Sequence, residues 1–162
     1  MRETVYLSLG SNVGNRAVNL KAAIDQLGAF GEVAAVSSFY ETEPVEFTEQ
    51  PWFINCVVKL ETEKTPEQLL AGILDIEQQL GRRRGLQKGP RIIDLDILLF
   101  GNSIVKVPGL TIPHPAMQER RFVLEPLAEI APDALHPVLQ RTARELLDAL
   151  SGGQSVRKLS RK

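Results

Sequence analysis

Gly89-Pro90-Arg91-Ile92-Ile93-Asp94-Leu95-Asp96-Ile97-Leu98-Leu99-Phe100 is the stretch that decides how this chain is read. Its second half is apolar, rich in branched residues and stopped by Gly101-Asn102, which predicts a β-strand. Side chains alternate along a strand. Ile93, Leu95, Ile97 and Leu99 are therefore expected on one face, and Ile92, Asp94, Asp96, Leu98 and Phe100 on the other. The two aspartates then stand roughly 6–7 Å apart at Cα. Two carboxylates on an apolar strand are costly unless a cation holds them both ionised. A solvated face or pairing with arginines would meet that need. So would Mg²⁺, which takes one or two carboxylates together with substrate phosphates. The approach to the strand favours the metal. Arg82, Arg83, Arg84, Lys88 and Arg91 precede it with no acid among them. Arginines suit phosphate oxygens and paired carboxylates suit a metal, so a polyphosphate carrying Mg²⁺ is the expected ligand.

The totals bound the rest. With 162 residues, 43% hydrophobic and 24% charged, the chain predicts one domain over residues 1–150 with a real core. Residues 151–162 carry Arg157, Lys158, Arg161 and Lys162 without an acid and predict a flexible basic tail. A net charge of −1 gives no broad electrostatic grip on nucleic acid. The single cysteine, Cys56, excludes an internal disulfide and fits a reducing cytosol. No apolar run reaches membrane-spanning length and no signal-peptide pattern opens the chain, so a cytoplasmic location is expected.

Working outward from the aspartate strand, residues 4–9 predict a first strand with Val5, Leu7 and Leu9 on one side. Gly10-Ser11-Asn12-Val13-Gly14-Asn15-Arg16 follows, matching neither Gly-x-Gly-x-x-Gly nor the Walker pattern. It predicts a structural turn, with Ser11 or Asn12 capping a helix whose stripe is Leu20, Ile24 and Leu27. Residues 33–40 predict a second strand, and a loop lies between Pro44 and Pro51. Residues 52–60 predict a third strand, with Trp52, Ile54, Cys56, Val58 and Leu60 inward. Phe53 and Asn55 share the other face. They could stack on a heteroaromatic ring and read its edge, or belong to an ordinary strand face.

Thr65-Pro66-Glu67-Gln68 is a strong helix start, and Leu69, Leu70, Ile73, Leu74, Ile76 and Leu80 form its stripe up to Gly81. Glu77 either faces solvent or reaches a nucleotide. Residues 103–107 predict a short return strand. His114 lies on a loop held extended by Pro113 and Pro115, a usual place for ligand contacts. His136 reads as a turn residue, and residues 144–150 as a closing helix. The order is β-α-β-β-α-β with helical additions after it. That predicts an α+β, ferredoxin-like core: an antiparallel sheet with both main helices on one face. Such a fold hosts many functions.

Five motifs in order give the chain a family resemblance. They are Gly10-Ser11-Asn12; Ser37-Ser38-Phe39-Tyr40-Glu41-Thr42-Glu43-Pro44; Gln50-Pro51-Trp52-Phe53-Ile54-Asn55; Gly81-Arg82-Arg83-Arg84 leading into Gly89 to Leu98; and Ile112-Pro113-His114-Pro115 with Arg120 and Phe122. From about Val5 to Leu127 the chain resembles the hydroxymethyldihydropterin pyrophosphokinases of folate biosynthesis. The resemblance implies transfer of the terminal pyrophosphate of ATP to the hydroxymethyl group of a dihydropterin, releasing AMP. It implies that Asp94 and Asp96 hold two Mg²⁺ ions bridging the ATP phosphates. Phe53 and Phe122 would sandwich the pterin, and Asn55 with the backbone around Thr42, Pro44 and Val45 would read its polar edge. Arg82, Arg84, Arg91 and Arg120 would bind phosphates, with Arg82 and Arg91 the catalytic candidates. Ile97, Thr111, His114 and Glu77 would sit at the nucleotide.

Some positions depart from the family's pattern: Lys88 for a frequent Trp, Glu43 for Pro, Leu74 for Gln, and Gly109 for Arg in some members. These touch nucleotide affinity and loop closure more than reaction type. The implied partners are small molecules, ATP and a dihydropterin, with neither nucleic acid nor membrane, and a monomer is expected. Two other readings compete. One is a different metal-dependent phosphoryl or nucleotidyl transferase that keeps the aspartates. The other is a non-enzymatic binding module, for example for RNA, which the acidic strand and net charge oppose.

Overall fold

Val5, Leu7 and Leu9 make β1 (Glu3–Ser11) a strand with one fully buried face. The computed structural model describes residues 2–42, 52–81, 92–151 and 156–159. After β1 come α1 (Arg16–Leu27), β2 (Glu32–Val36), β3 (Tyr40–Thr42), β4 (Phe53–Thr62), α2 (Pro66–Gln79) and β5 (Asp94–Phe100). A small hairpin follows, β6 (Val105–Val107) with β7 (Leu110–Ile112), and then α3 (Arg121–Ile130). The chain closes with a second hairpin, β8 (Leu135–His136) and β9 (Arg141–Thr142), then α4 (Ala143–Ala149) and β10 (Val156–Lys158). The main sheet runs β10-β3-β4-β1-β5, β2 also pairs with β4, and every pairing is antiparallel. This is an α+β fold in three layers. Leu20 and Leu27 of α1 and Leu69, Ile73 and Ile76 of α2 pack on one face against Val5, Leu7, Cys56 and Val58. On the other face Val123, Leu124 and Leu127 of α3 and Leu146 and Leu147 of α4 cover Val57, Leu98 and Leu99. Among the described residues no helix is long and apolar enough to cross a membrane.

Local chemistry sets the helix ends. Thr65 Oγ1 accepts from Gln68 N at 3.1 Å, and Gln68 Oε1 accepts from Thr65 N at 2.9 Å, so α2 begins with the expected capping box. It ends at Gly81, whose φ of +97° lies in the left-handed region that glycine occupies without a Cβ penalty. The cap of α1 is Asn15, not Ser11 or Asn12: Asn15 Oδ1 accepts from Val18 N at 3.1 Å, while Ser11 Oγ accepts from the Asn19 amide.

Other sequence expectations change too; Trp52, expected inward on the third strand, stands exposed just before β4. Strict alternation fails at the end of β5. Tyr6 pairs with Leu99 but Leu7 with Ile97, which leaves Leu98 as a bulge. Past it the faces exchange, so Leu99 joins the α3 and α4 side and Phe100 the α1 and α2 side. The second strand is two strands. Ser37 interrupts it, its N–H donating to the Val57 carbonyl and its hydroxyl accepting from Val57 N, both at 2.9 Å. The segment around His114 turns instead of extending, because His114 N donates to the Leu98 carbonyl at 3.0 Å and the His114 carbonyl accepts from Met117 N. Finally, the basic tail is not wholly a solvated end. Val156–Lys158 adds an edge strand to β3, and Leu159 N donates to the Phe39 carbonyl at 2.8 Å. It covers the edge of β3 and puts charged Arg157 and Lys158 on the strand that becomes the edge.

His136, expected in a turn, is instead the last residue of β8, and its side chain caps the turn that follows. Its Nδ1 accepts from Val138 N at 3.2 Å and Leu139 N at 3.1 Å. Burial lowers its pKa, outweighing a backbone hydrogen bond that raises it. As pH falls, the unfolded chain therefore takes this proton before the folded one does. Stability present above the ordinary histidine value near 6.5 is lost as pH drops through it. Urea unfolding should show the wild-type midpoint falling between pH 7 and 5, and His136→Asn should fall less over the same interval.

Candidate active site

The sheet register brings the site together. Gly10 on β1 lies opposite Asn55 on β4 and opposite Asp94 on β5, so amide, glycine and carboxylate form one row across three strands. The next row on the same face is Val57, Ser8 and Asp96. A Cβ at Gly10 would stand 2.6 Å from Asn55 Nδ2 and 3.5 Å from Phe53 Cδ1. Glycine is what lets the Asn55 amide lie over β1. Sequence reasoning misses this: Gly10 reads as the start of a turn until the register shows what stands opposite.

Asn55 is 5% exposed, and its Oδ1 accepts from the Thr42 hydroxyl at 2.6 Å. That bond fixes which way the amide faces. The α3 helix lies on this side of the sheet. Its Glu129 accepts from Ser38 N at 3.1 Å, the Ser38 hydroxyl at 2.8 Å and the Tyr40 hydroxyl at 2.7 Å. The Glu129 carboxyl is held below its usual range: burial pushes it up, but the bonds from Tyr40 and Ser38 outweigh that. Phe122 lies in the first turn of the helix, with the Arg120 guanidinium 5.6 Å from its ring centroid.

On the far side of the aspartates is a cleft of about 300 Å³. Leu70, Ile73, Leu95, Ile97 and Leu110 give it apolar walls, and Asp96, Thr111 and His114 its polar groups. A slot with apolar walls and a few polar atoms at one end suits a flat base attached to an anionic group. His114 Nδ1 accepts from Ala116 N at 3.2 Å. The neutral ring therefore carries its proton on Nε2, which lies 4.0 Å from Asp96 Oδ1. Burial, then the charge of Arg120, bring the His114 pKa down to about 4 against an opposing pull from Asp94. At neutral pH the ring is a neutral hydrogen-bond donor facing the carboxylates.

Glu77 neither faces solvent nor is counted among the cleft's walls. It is 3% exposed, and its Oε2 accepts from Leu95 N at 2.8 Å, the amide between the two aspartates on the open edge of β5. Asp94, Asp96, Ile97, Thr111 and His114 are gathered on one side of Gly10, and Thr42, Phe53 and Asn55 on the other, while Arg120 sets its guanidinium by the Phe122 ring and near enough to His114 to lower its pKa. Arg82, Arg84, Arg91, Pro44 and Val45, with the departures Lys88 and Glu43, lie outside the described residues. Leu74 is 40% exposed, whereas Gly109 borders the cleft.

Residues 6–132 match one family, 7,8-dihydro-6-hydroxymethylpterin-pyrophosphokinase (HPPK). The chain belongs to that family. The 2-amino-4-hydroxy-6-hydroxymethyldihydropteridine pyrophosphokinase of Methylorubrum extorquens is 45% identical over 147 residues, 90% of this chain and 92% of its own length. Folic acid synthesis protein fol1 of Pneumocystis carinii is 47% identical over 137 residues, 84% of this chain but 18% of its own length. The chain thus spans about a fifth of the fungal fol1 proteins it matches. In fold it is similar to the wild-type HPPK-DHPS of Plasmodium falciparum solved with pterin and p-hydroxybenzoate. The TM-score is 0.73 at 18% identity, covering 91% of this chain and 42% of that one.

Proposed function

We propose that this chain transfers the terminal pyrophosphate of ATP to the hydroxymethyl group of 6-hydroxymethyl-7,8-dihydropterin, giving the pterin diphosphate and AMP. The observation that carries the reading is the row Asn55–Gly10–Asp94. It sets an amide suited to a heteroaromatic edge about 10 Å from the first carboxylate, two strand spacings across one flat face. The pterin lies on the Asn55 side, with Phe53 and Phe122 against its ring and Thr42, Pro44 and Val45 beside its polar edge. The ATP base enters the apolar cleft at Ile97, with Thr111 and His114 alongside. Glu77 supports the pocket by fixing the strand between the aspartates. Arg82, Arg84, Arg91 and Arg120 take the phosphates, and Arg82 and Arg91 act where charge grows in the transition state.

The donor set at Asp94 and Asp96 fits Mg²⁺: two hard carboxylates on one face, with the Asp96 side chain 42% exposed and so open to phosphate and water. Asp94 and Asp96 would hold Mg²⁺, in the two-ion form the family resemblance implies, and the metal would supply neutralisation of phosphate charge and Lewis-acid polarisation. The protein's own share is placement. Phosphoryl-type transfer asks for alignment and charge balance, not a covalent nucleophile. The strand order and directions support the ferredoxin-like reading of the core. We take residues 1–150, with the edge strand Val156–Lys158 added to their sheet, as the catalytic domain, acting as a monomer on small molecules in the cytoplasm. A net charge of −1 and a single, buried cysteine support that setting.

Incubation with Mg-ATP and hydroxymethyldihydropterin should yield AMP and pterin diphosphate in equal amounts, followed by chromatography of the nucleotides. ADP as the product, or turnover indifferent to the pterin, would overturn the proposal.

A further inference from the structure

We infer that Glu41 is a positioning residue for the pterin side of the site, through which the C-terminal strand and the start of α1 hold Thr42 and Phe53 in place. The inference rests on the pterin placement proposed above.

Glu41 is the middle residue of β3. Tyr40 and Thr42 on either side turn to the α3 face, where they bond Glu129 and Asn55. Alternation sends Glu41 to the opposite face, the one covered by α1. There it accepts from two cations of distant origin. Arg16, the first residue of α1, donates from Nη1 to Glu41 Oε2 at 3.2 Å, and Arg157 of β10, directly opposite in register, donates to Glu41 Oε1. The same Arg16 Nη1 donates to the Trp52 carbonyl at 2.7 Å, the residue before Phe53. One carboxylate thus ties together α1, β10 and the entry of β4. The Glu41 side chain is only 16% exposed. Burial raises its pKa, but bonds from Arg157 and Arg16 outweigh this and hold the carboxyl below its usual range.

The geometry gives this network one outlet. β3 is three residues long, and beyond its cross-strand bonds its position decides where the Thr42 hydroxyl meets Asn55 Oδ1. The Trp52 carbonyl likewise fixes where Phe53 enters β4. Both lead to the pterin half of the site. The ATP cleft is built from α2, β5 and the segment around β7, and none of its walls belongs to this network. Loosening Glu41 should therefore impair pterin recognition and leave ATP recognition alone.

Steady-state kinetics on the full chain test this. Glu41→Gln keeps the shape but loses the charge. It should raise the pterin KM roughly fivefold, the loss expected for charge-assisted bonds that are partly exposed. Its kcat and ATP KM should be unchanged. Arg157→Gln, on the exposed side of the pair, should raise the pterin KM about twofold. Asn55→Ala is the reference. If it raises the pterin KM and Glu41→Gln does not, the positioning role is wrong while the site reading stands. If Asn55→Ala itself leaves the pterin KM unchanged, the site reading fails first. A loss of thermal stability with equal effects on both KM values would assign Glu41 to fold maintenance only and overturn the inference.

Discussion

Asp96→Ala should lower kcat about a thousandfold, and Asp94→Ala similarly, because each removes half of the proposed metal-holding pair. A thousandfold corresponds to about 4 kcal/mol of barrier, within the several kcal/mol that charge neutralisation at phosphate supplies. The fold should survive. Both residues lie on an edge strand, the Asp96 side chain is 42% exposed, and removing one of two like charges relieves repulsion. Titration calorimetry separates binding from chemistry: Mg-dependent enhancement of ATP affinity should disappear in Asp96→Ala while Mg-free ATP binding persists. A variant that turns over within tenfold of wild type would remove the aspartates from the mechanism.

Gly10→Ala should be the most damaging small change on the pterin side. The added Cβ would stand 2.6 Å from Asn55 Nδ2. The amide cannot simply swing away, because Thr42 holds its other end and the residue is 5% exposed. Overpacking of this kind costs about 2 kcal/mol, which corresponds to about thirtyfold in pterin KM if the strain falls on the bound orientation of Asn55. The ATP KM should stay near wild type. A double-mutant cycle locates the cause: against an Asn55→Ala background, Gly10→Ala should add little. If the alanine costs as much with Asn55 absent, the clash is not the reason and Gly10 is not what makes room for the Asn55 amide.

Where sequence reasoning held, the signal was local. The capping box at Thr65 and Gln68 needs only four residues, and the end of α2 needs only Gly81. The shared face of Asp94 and Asp96 follows from a period of two. Where it failed, the deciding partner was remote. The bulge at Leu98 is set by the pairing of Tyr6 and Leu7 with β5, so alternation alone put Leu99 and Phe100 on the wrong faces. The helical additions after the core were expected without bounds, and α3 (Arg121–Ile130) carries Pro126 within it. The tail looked solvated because its counter-charge, Glu41, is 116 residues away along the chain.

The chemistry on offer was therefore written in the chain itself: a carboxylate pair on a strand, arginines before it, an amide and an aromatic on another strand, and a proline-flanked histidine. Residue type and short-range spacing carry that information because they fix charge, hydrogen-bonding capacity and facing direction. The tertiary structure alone decided which of these groups meet. Pairing β1 between β4 and β5 set Asn55 and Asp94 on either side of Gly10, turned Glu77 onto the Leu95 amide, and drew Arg16 and Arg157 to one carboxylate. Register and layer packing are properties of the whole sheet, and no window of sequence contains them.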